Sequence, residues 1–205
     1  MCYRTKLNAT LKDIESTFKA RFIEPESYTP MDEINGFSFM KTPVITYENQ
    51  GEIEMFNWGL IPLWANDDKI RKMTLNARIE TVTEKPAFRN SVNNRCLVIA
   101  NAYYEWKWLD PKGKEKRKYL ITPKDQELFA FAGIYSSWKN PQNHELVNSY
   151  SILTTDANEL MREIHNTKKR MPVVLKKIDQ AKWLSGDEVL NFTFPYEVEL
   201  EAKTV

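Results

Sequence analysis

Residue 2 of the chain is a cysteine, and removal of Met1 would put an α-amine and a thiol on neighbouring carbons. That pair is a 1,2-aminothiol, which closes on an aldehyde to give a stable five-membered thiazolidine ring. An α-amine has a reference pKa of about 7.7 to 8.0, so a useful fraction is neutral at pH 7 and can attack a carbonyl carbon. The thiol, with a reference pKa of about 8.5, adds to the resulting imine once partly ionised. Loss of water from the carbinolamine and deprotonation of the thiol are proton transfers, and a carboxylate and a histidine suit them. Of the two histidines, His144 lies beside the polar loop Asn140-Pro141-Gln142-Asn143 and reads as solvated, which leaves His165. Glu105 stands between Tyr104 and Trp106 in an apolar strand, where alternation alone would allow it to face solvent. The second cysteine, Cys96, sits inside Cys96-Leu97-Val98-Ile99 and reads as core packing rather than chemistry.

The elements that must position these groups read as one globular domain. The chain has 205 residues, 42% hydrophobic and 12% aromatic, enough for a sizeable core. No apolar run reaches the roughly 18 residues of a membrane span, and MCYRTKLNAT lacks the apolar stretch of a secretory signal, so a cytoplasmic, nucleoid-associated monomer is expected. Two cysteines without CxxC spacing or a Cys/His cluster argue against a disulfide scaffold or a zinc site. Twenty-nine basic against 28 acidic residues, a net charge of +1, argue against coating duplex DNA by bulk electrostatics. Any contact with nucleic acid must be a local groove.

Thr10 with Asp13 matches a capping pattern, and Leu11, Ile14, Phe18 and Phe22 recur at helical spacing. Residues 43–47 and 51–58 read as two strands around the turn Glu48-Asn49-Gln50-Gly51, and 95–108 as one longer strand. A meander follows through 118–121, 128–138 and 149–154, after the turn Asp110-Pro111-Lys112-Gly113. Thr155 or Asp156 caps a short helix through Met161 and Ile164 that delivers His165, and a last helix over 178–184 ends near Gly186. The basic run 112–118 reads as a solvated hairpin tip. The whole is a β-rich α+β domain.

Five segments in order then carry a resemblance. They are Met1-Cys2 followed by Arg4; Trp58-Gly59-Leu60-Ile61-Pro62 with Trp64; Asn76-Ala77-Arg78 with Glu80-Thr81; Arg95-Cys96-Leu97 running to Tyr104-Glu105-Trp106; and His165 with Arg170-Met171-Pro172. With these the chain resembles the SOS-response-associated peptidase (SRAP) family of abasic-site processing proteins. It departs from the family pattern at Tyr3, where a glycine is usual, and at Asn166-Thr167-Lys168-Lys169, where one residue usually separates His165 from Arg170. Residues 28–43 match poorly.

The resemblance implies antiparallel sheets forming a partly open barrel flanked by short helices. It also implies that Cys2, exposed by loss of Met1, captures the ring-opened aldehyde of an abasic site in single-stranded DNA, with no metal or organic cofactor. It places Asn76, Glu105 and His165 around Cys2. Glu105 is the acid/base beside amine and thiol, His165 acts on the sugar oxygen, and Asn76 orients. For DNA, cations must meet phosphates and flat side chains must meet bases. Arg4, Arg78 and Arg170, with Arg89 weaker, are the phosphate candidates. Trp64, Phe88 and Trp106 are the stacking candidates, and Thr154 is a further polar contact. Two other functions stay open: a thiol peptidase or N-terminal-nucleophile hydrolase acting on itself or another chain, and a non-covalent reader of modified DNA.

Overall fold

Continuous apolar runs at 95–100 and 129–135 can form strands only if both faces are covered, whereas the broken alternation of 52–58 calls for one covered face. A computed structural model of the protein, which describes residues 2–205, has this arrangement. Along the chain lie β1 (Arg4–Leu7), α1 (Leu11–Phe18), β2 (Arg21–Phe22), β3 (Met31–Asn35), β4 (Lys41–Thr46), β5 (Glu52–Trp58), β6 (Asn76–Arg78), β7 (Arg95–Ala100) and β8 (Ala102–Trp108). There follow β9 (Lys116–Pro123), β10 (Phe129–Lys139), β11 (Leu146–Asp156), α2 (Glu159–Ile164), β12 (Arg170–Pro172), α3 (Gln180–Ser185) and β13 (Leu200–Thr204).

Strands β5, β4, β7, β10 and β11 pair antiparallel in that order, and β11 then returns to pair parallel with β5 through Ser149 with Asn57 and Tyr150 with Trp58. The barrel is therefore closed, not partly open. Closure joins residues about ninety apart in sequence, which no local pattern encodes. Inside it Trp58 and Tyr150 stack at 6.3 Å with planes 10° apart, and Tyr150 Oη lies 2.6 Å from Thr42 Oγ1. A Cβ on Gly133 of β10 would come within 2.8 Å of Cys96 Sγ, so both positions serve packing. A second sheet has the order β13-β9-β8-β1-β3 and shares the core, Tyr103 of β8 meeting Phe131 of β10 edge-on at 5.7 Å.

Several expectations change. The stretch 95–108 is two strands in different sheets: the ladder breaks at Asn101, whose N–H donates to Lys6 O at 2.9 Å. The later strands form no single meander, since β9 belongs to the second sheet while β10 and β11 belong to the barrel. Helix α1 is capped by Thr10, which accepts from Asp13 N at 3.2 Å, but it stops at Lys19 (φ 54°), and Phe22 lies in β2. Helix α2 is capped by Asn158, not Thr155 or Asp156, because β11 extends through Asp156. Helix α3 ends at Gly186, whose φ of 95° suits glycine at a C-terminal cap. Residues 31–35, unread in the sequence, form β3.

Candidate active site at the start of the first strand

β1 lies between β3 and β8, with Arg4 opposite both Asn35 and Tyr104. Continuing that antiparallel register brings Tyr3 beside Glu105, so residue 2 enters the sheet next to the carboxylate. Both peptide units at this end are held. Tyr3 O accepts from Gly36 N at 2.9 Å, and Cys2 O accepts from Asn76 Nδ2 at 2.8 Å. Asn76 stands at the start of β6, which hangs on β11 through the pair Asn76–Ile152, so the barrel grips the residue leading into the other sheet. Among the described residues Asn76 Oδ1 is buried with no hydrogen-bond partner.

Cys2 is fully buried, and its Sγ–H points to Arg4 O at 3.7 Å. Burial pushes the thiol well above its ordinary pKa, and the neighbouring Glu105 charge pushes it further. Burial likewise raises Glu105, which is 4% exposed, so this carboxyl holds a proton more readily than a surface glutamate. His165 ends α2, its N–H donating to Met161 O at 2.8 Å. Burial lowers its imidazole to about 4, which keeps the ring neutral at pH 7. Nδ1 lies 2.9 Å from Arg170 O. The same Nδ1 lies 3.2 Å from Arg170 N, so the backbone of Arg170 holds this edge of the ring in either tautomer.

Glu105 and His165 line a common cleft of about 440 Å³, together with Tyr3, Arg4, Trp106 and Trp108. A larger groove of about 790 Å³ is bordered by Glu159, Glu163, Glu197 and Glu199, the wrong sign of charge for a phosphate chain. The residues between His165 and Arg170 bulge without displacing either end. Asn166 donates Nδ2–H to Trp108 O at 2.9 Å and accepts from Trp108 N at 3.1 Å, docking the bulge on β8. Lys169 (φ 51°) then turns the chain into β12.

The DNA-contact candidates are scattered more widely. Arg78 is exposed two residues beyond Asn76, on the same side of β6. Arg4 borders the cleft, 5.8 Å from the Trp106 ring centroid, and is paired with Glu33. Trp64 is 54% exposed with its Nε1–H on Pro86 O, Phe88 packs partly on the core, and Arg89 is exposed. Two assignments need correction. The Arg170 side chain is 4% exposed and its guanidinium donates to both Glu80 oxygens, to Asp156 and to Thr154 O, so it is an internal tie rather than a phosphate contact. Thr154 is fully buried and donates to Ala77 O, so it offers DNA no surface. Sequence reasoning overlooked Glu33, which pairs with both Arg4 and Lys118 at the cleft edge. Its signal lay in a poorly patterned stretch. It also overlooked Trp108, which alternation puts on the same face of β8 as Trp106.

A closed barrel that holds residue 2 of a neighbouring sheet through an asparagine, beside a buried carboxylate and a neutral histidine, defines a narrow class. The chain belongs to the SOS response associated peptidase (SRAP) family, whose model matches residues 1–205. Among similar proteins, the abasic site processing protein YoqW of Bacillus subtilis (strain 168) is 39% identical over 206 residues, 97% of this chain and 89% of that one. The abasic site processing protein HMCES of Xenopus tropicalis is 35% identical over 156 residues, 64% of this chain and 44% of its own. A crystal structure of a Bacteroides thetaiotaomicron protein superposes with a TM-score of 0.89 at 33% identity, covering 100% of this chain and 92% of that one.

Proposed function

We propose that the protein processes abasic sites in single-stranded DNA by capturing the open-chain sugar aldehyde covalently on Cys2. The observation that carries this reading is the 2.8 Å hydrogen bond from Asn76 to Cys2 O, which fixes residue 2 while Glu105 borders its thiol. Loss of Met1, which the chemistry requires, concerns a residue outside the described ones.

The neutral α-amine attacks C1′ of the aldehyde to form a carbinolamine, and a proton delivered to its hydroxyl lets water leave, giving a protonated imine. Glu105, with its raised affinity for a proton, suits that delivery. The carboxylate left behind then takes the thiol proton as sulfur bonds to the iminium carbon, and the C=N electron pair returns to the nitrogen, which keeps its proton. The net change is aminothiol plus aldehyde giving thiazolidine plus one water. His165, held neutral by burial, suits removal of the hydroxyl proton that opens the cyclic sugar. Asn76 keeps the residue 2 backbone from swinging away between the two bond-forming steps. A thiol-peptidase reading finds less support, because burial and a carboxylate neighbour both disfavour a resting thiolate.

The test is the mass and denaturing-gel mobility of protein shown to lack Met1, after incubation with an abasic single-stranded oligonucleotide. Cys2→Ala protein and an undamaged oligonucleotide serve as controls. An adduct that survives denaturation, needs both Cys2 and the lesion, and weighs one water less than its parts is expected. Absence of any adduct would remove the capture reading and bring peptidase and non-covalent reader forward.

A further inference from the structure

The cleft beside residue 2 has a wall that the capture chemistry does not use. Tyr3 and Phe37 touch, with ring centroids 5.1 Å apart and planes tilted by 40°. Phe37 is 48% exposed and lies outside the core cluster, so packing does not explain it. Its backbone is nonetheless tightly held. It sits in a single turn over Gly36–Ser38, where Asn35 Oδ1 accepts from Phe37 N at 3.2 Å and Gly36 N reaches Tyr3 O. A Cβ on Gly36 would press on Trp58 and Leu75 at 3.3 Å, so the turn is seated directly on the barrel. Trp106 and Trp108 border the same cleft, with Arg4 over the first ring and Lys116 Nζ 5.1 Å from the centroid of the second.

We propose that the Tyr3–Phe37 wall is a nucleobase subsite, on which the base flanking the captured lesion stacks. The inference rests on the DNA-capture reading and adds to it a specificity element. Tyr3 follows Cys2 directly, so covalent geometry limits how far its ring lies from the captured carbon, about one residue of extended chain. Neighbouring nucleotides in a single strand are separated by a comparable distance, and each base presents a flat π face to whatever ring is available. Cations over the facing tryptophans supply charge for the accompanying phosphates. A cleft of about 440 Å³ falls within the range that encloses small ligands. A rigid exposed ring loses little entropy when a base settles on it, which makes the wall selective for stacking area. Purines are therefore favoured over pyrimidines, and pyrimidines over a position without a base.

The test uses full-length protein lacking Met1 and single-stranded oligonucleotides carrying a tetrahydrofuran residue, which has no aldehyde, in place of the lesion. The neighbour on each side is adenine, thymine or a second base-less spacer, and equilibrium affinity is measured. For the unsubstituted protein, removing the base on one side should weaken binding about tenfold, with thymine intermediate. Phe37→Leu and Tyr3→Leu should each compress that ratio to about threefold or less, and Tyr3→Phe should preserve it. Equal affinity for all neighbours, or full discrimination retained by Phe37→Leu, would overturn the subsite. The side chain of Phe37 is half-exposed, and a thermal unfolding curve confirms that its variant is folded. Because no covalent bond forms with these oligonucleotides, failure of the capture chemistry with a true abasic site reads out separately.

Discussion

At the scale of residues, the site is governed by burial. Burial pushes the Cys2 thiol and the Glu105 carboxyl towards their protonated forms and His165 towards its unprotonated form. A proton acceptor close to the thiol is then worth more than in water, and Glu105→Gln should slow adduct formation by about 100-fold in a single-turnover gel assay. An unchanged rate would assign the proton transfers elsewhere. His165 also links stability to pH. Its pKa of about 4 in the folded chain lies below the ordinary 6.5, so as pH falls the unfolded chain takes up the proton first. The stability present above pH 6.5 is lost progressively down to pH 4, on the order of 3 kcal/mol in all. Urea denaturation at pH 7.5 and pH 5 should show the unsubstituted protein losing about 2 kcal/mol more than His165→Gln. Parallel losses would mean that the imidazole is not held neutral.

At the scale of elements, β12 and the loop before it decide where His165 points. Arg170 ties this loop to β11 through Asp156 and to the turn after β6 through Glu80. Burial pushes the Glu80 carboxyl up, and the Arg170 guanidinium with its hydrogen bonds outweighs that effect and holds the carboxyl below the ordinary range. Planar, forked donation to both Glu80 oxygens is geometry that lysine does not reproduce. Arg170→Ala should therefore destabilise the fold by about 3 kcal/mol in urea denaturation, as for a broken buried pair. A cost below about 1 kcal/mol, the range of surface pairs, would show that the tie is dispensable. The same tie explains how a bulged loop of four residues leaves His165 and Arg170 in contact: Asn166 docks the bulge on Trp108 while Arg170 anchors its far end.

At the scale of the whole molecule, near-neutral charge and a local cleft set how DNA is held. The 29 basic and 28 acidic residues nearly balance, and Arg4 and Lys118 are engaged by Glu33. The capture reading assigns phosphates to three cations: Arg4, which would have to share itself with Glu33, and the exposed Arg78 and Lys116. The affinity for an unreactive single-stranded oligonucleotide should fall with salt at a log–log slope of about −2, since each neutralised phosphate on a single strand contributes about −0.7. A slope steeper than about −5 would require a broad basic path across the surface and would remove the local-groove picture. Among the described residues no helix is long and apolar enough to cross a membrane.

Local chemistry was legible in the residues themselves. Capping at Thr10, the strand pair 41–46 and 52–58, the helix carrying His165 and the stop at Gly186 all follow from contacts a few residues apart, which side-chain type and spacing encode. Cys2, Glu105 and His165 stood out in the sequence because few residue types can do what the proposed aldehyde capture needs. What tertiary structure alone decided is which of them meet and which residues serve only the fold. Barrel closure by β11 on β5, the division of 95–108 between two sheets, and the grip of Asn76 on Cys2 O join positions up to about ninety residues apart. Arg170 and Thr154 carried polar groups that looked suited to DNA, yet the fold spends them on its own carboxylates and carbonyls. A sequence shows what a side chain is able to do; burial and partner geometry, which depend on long-range packing, determine whether solvent and substrate ever reach it.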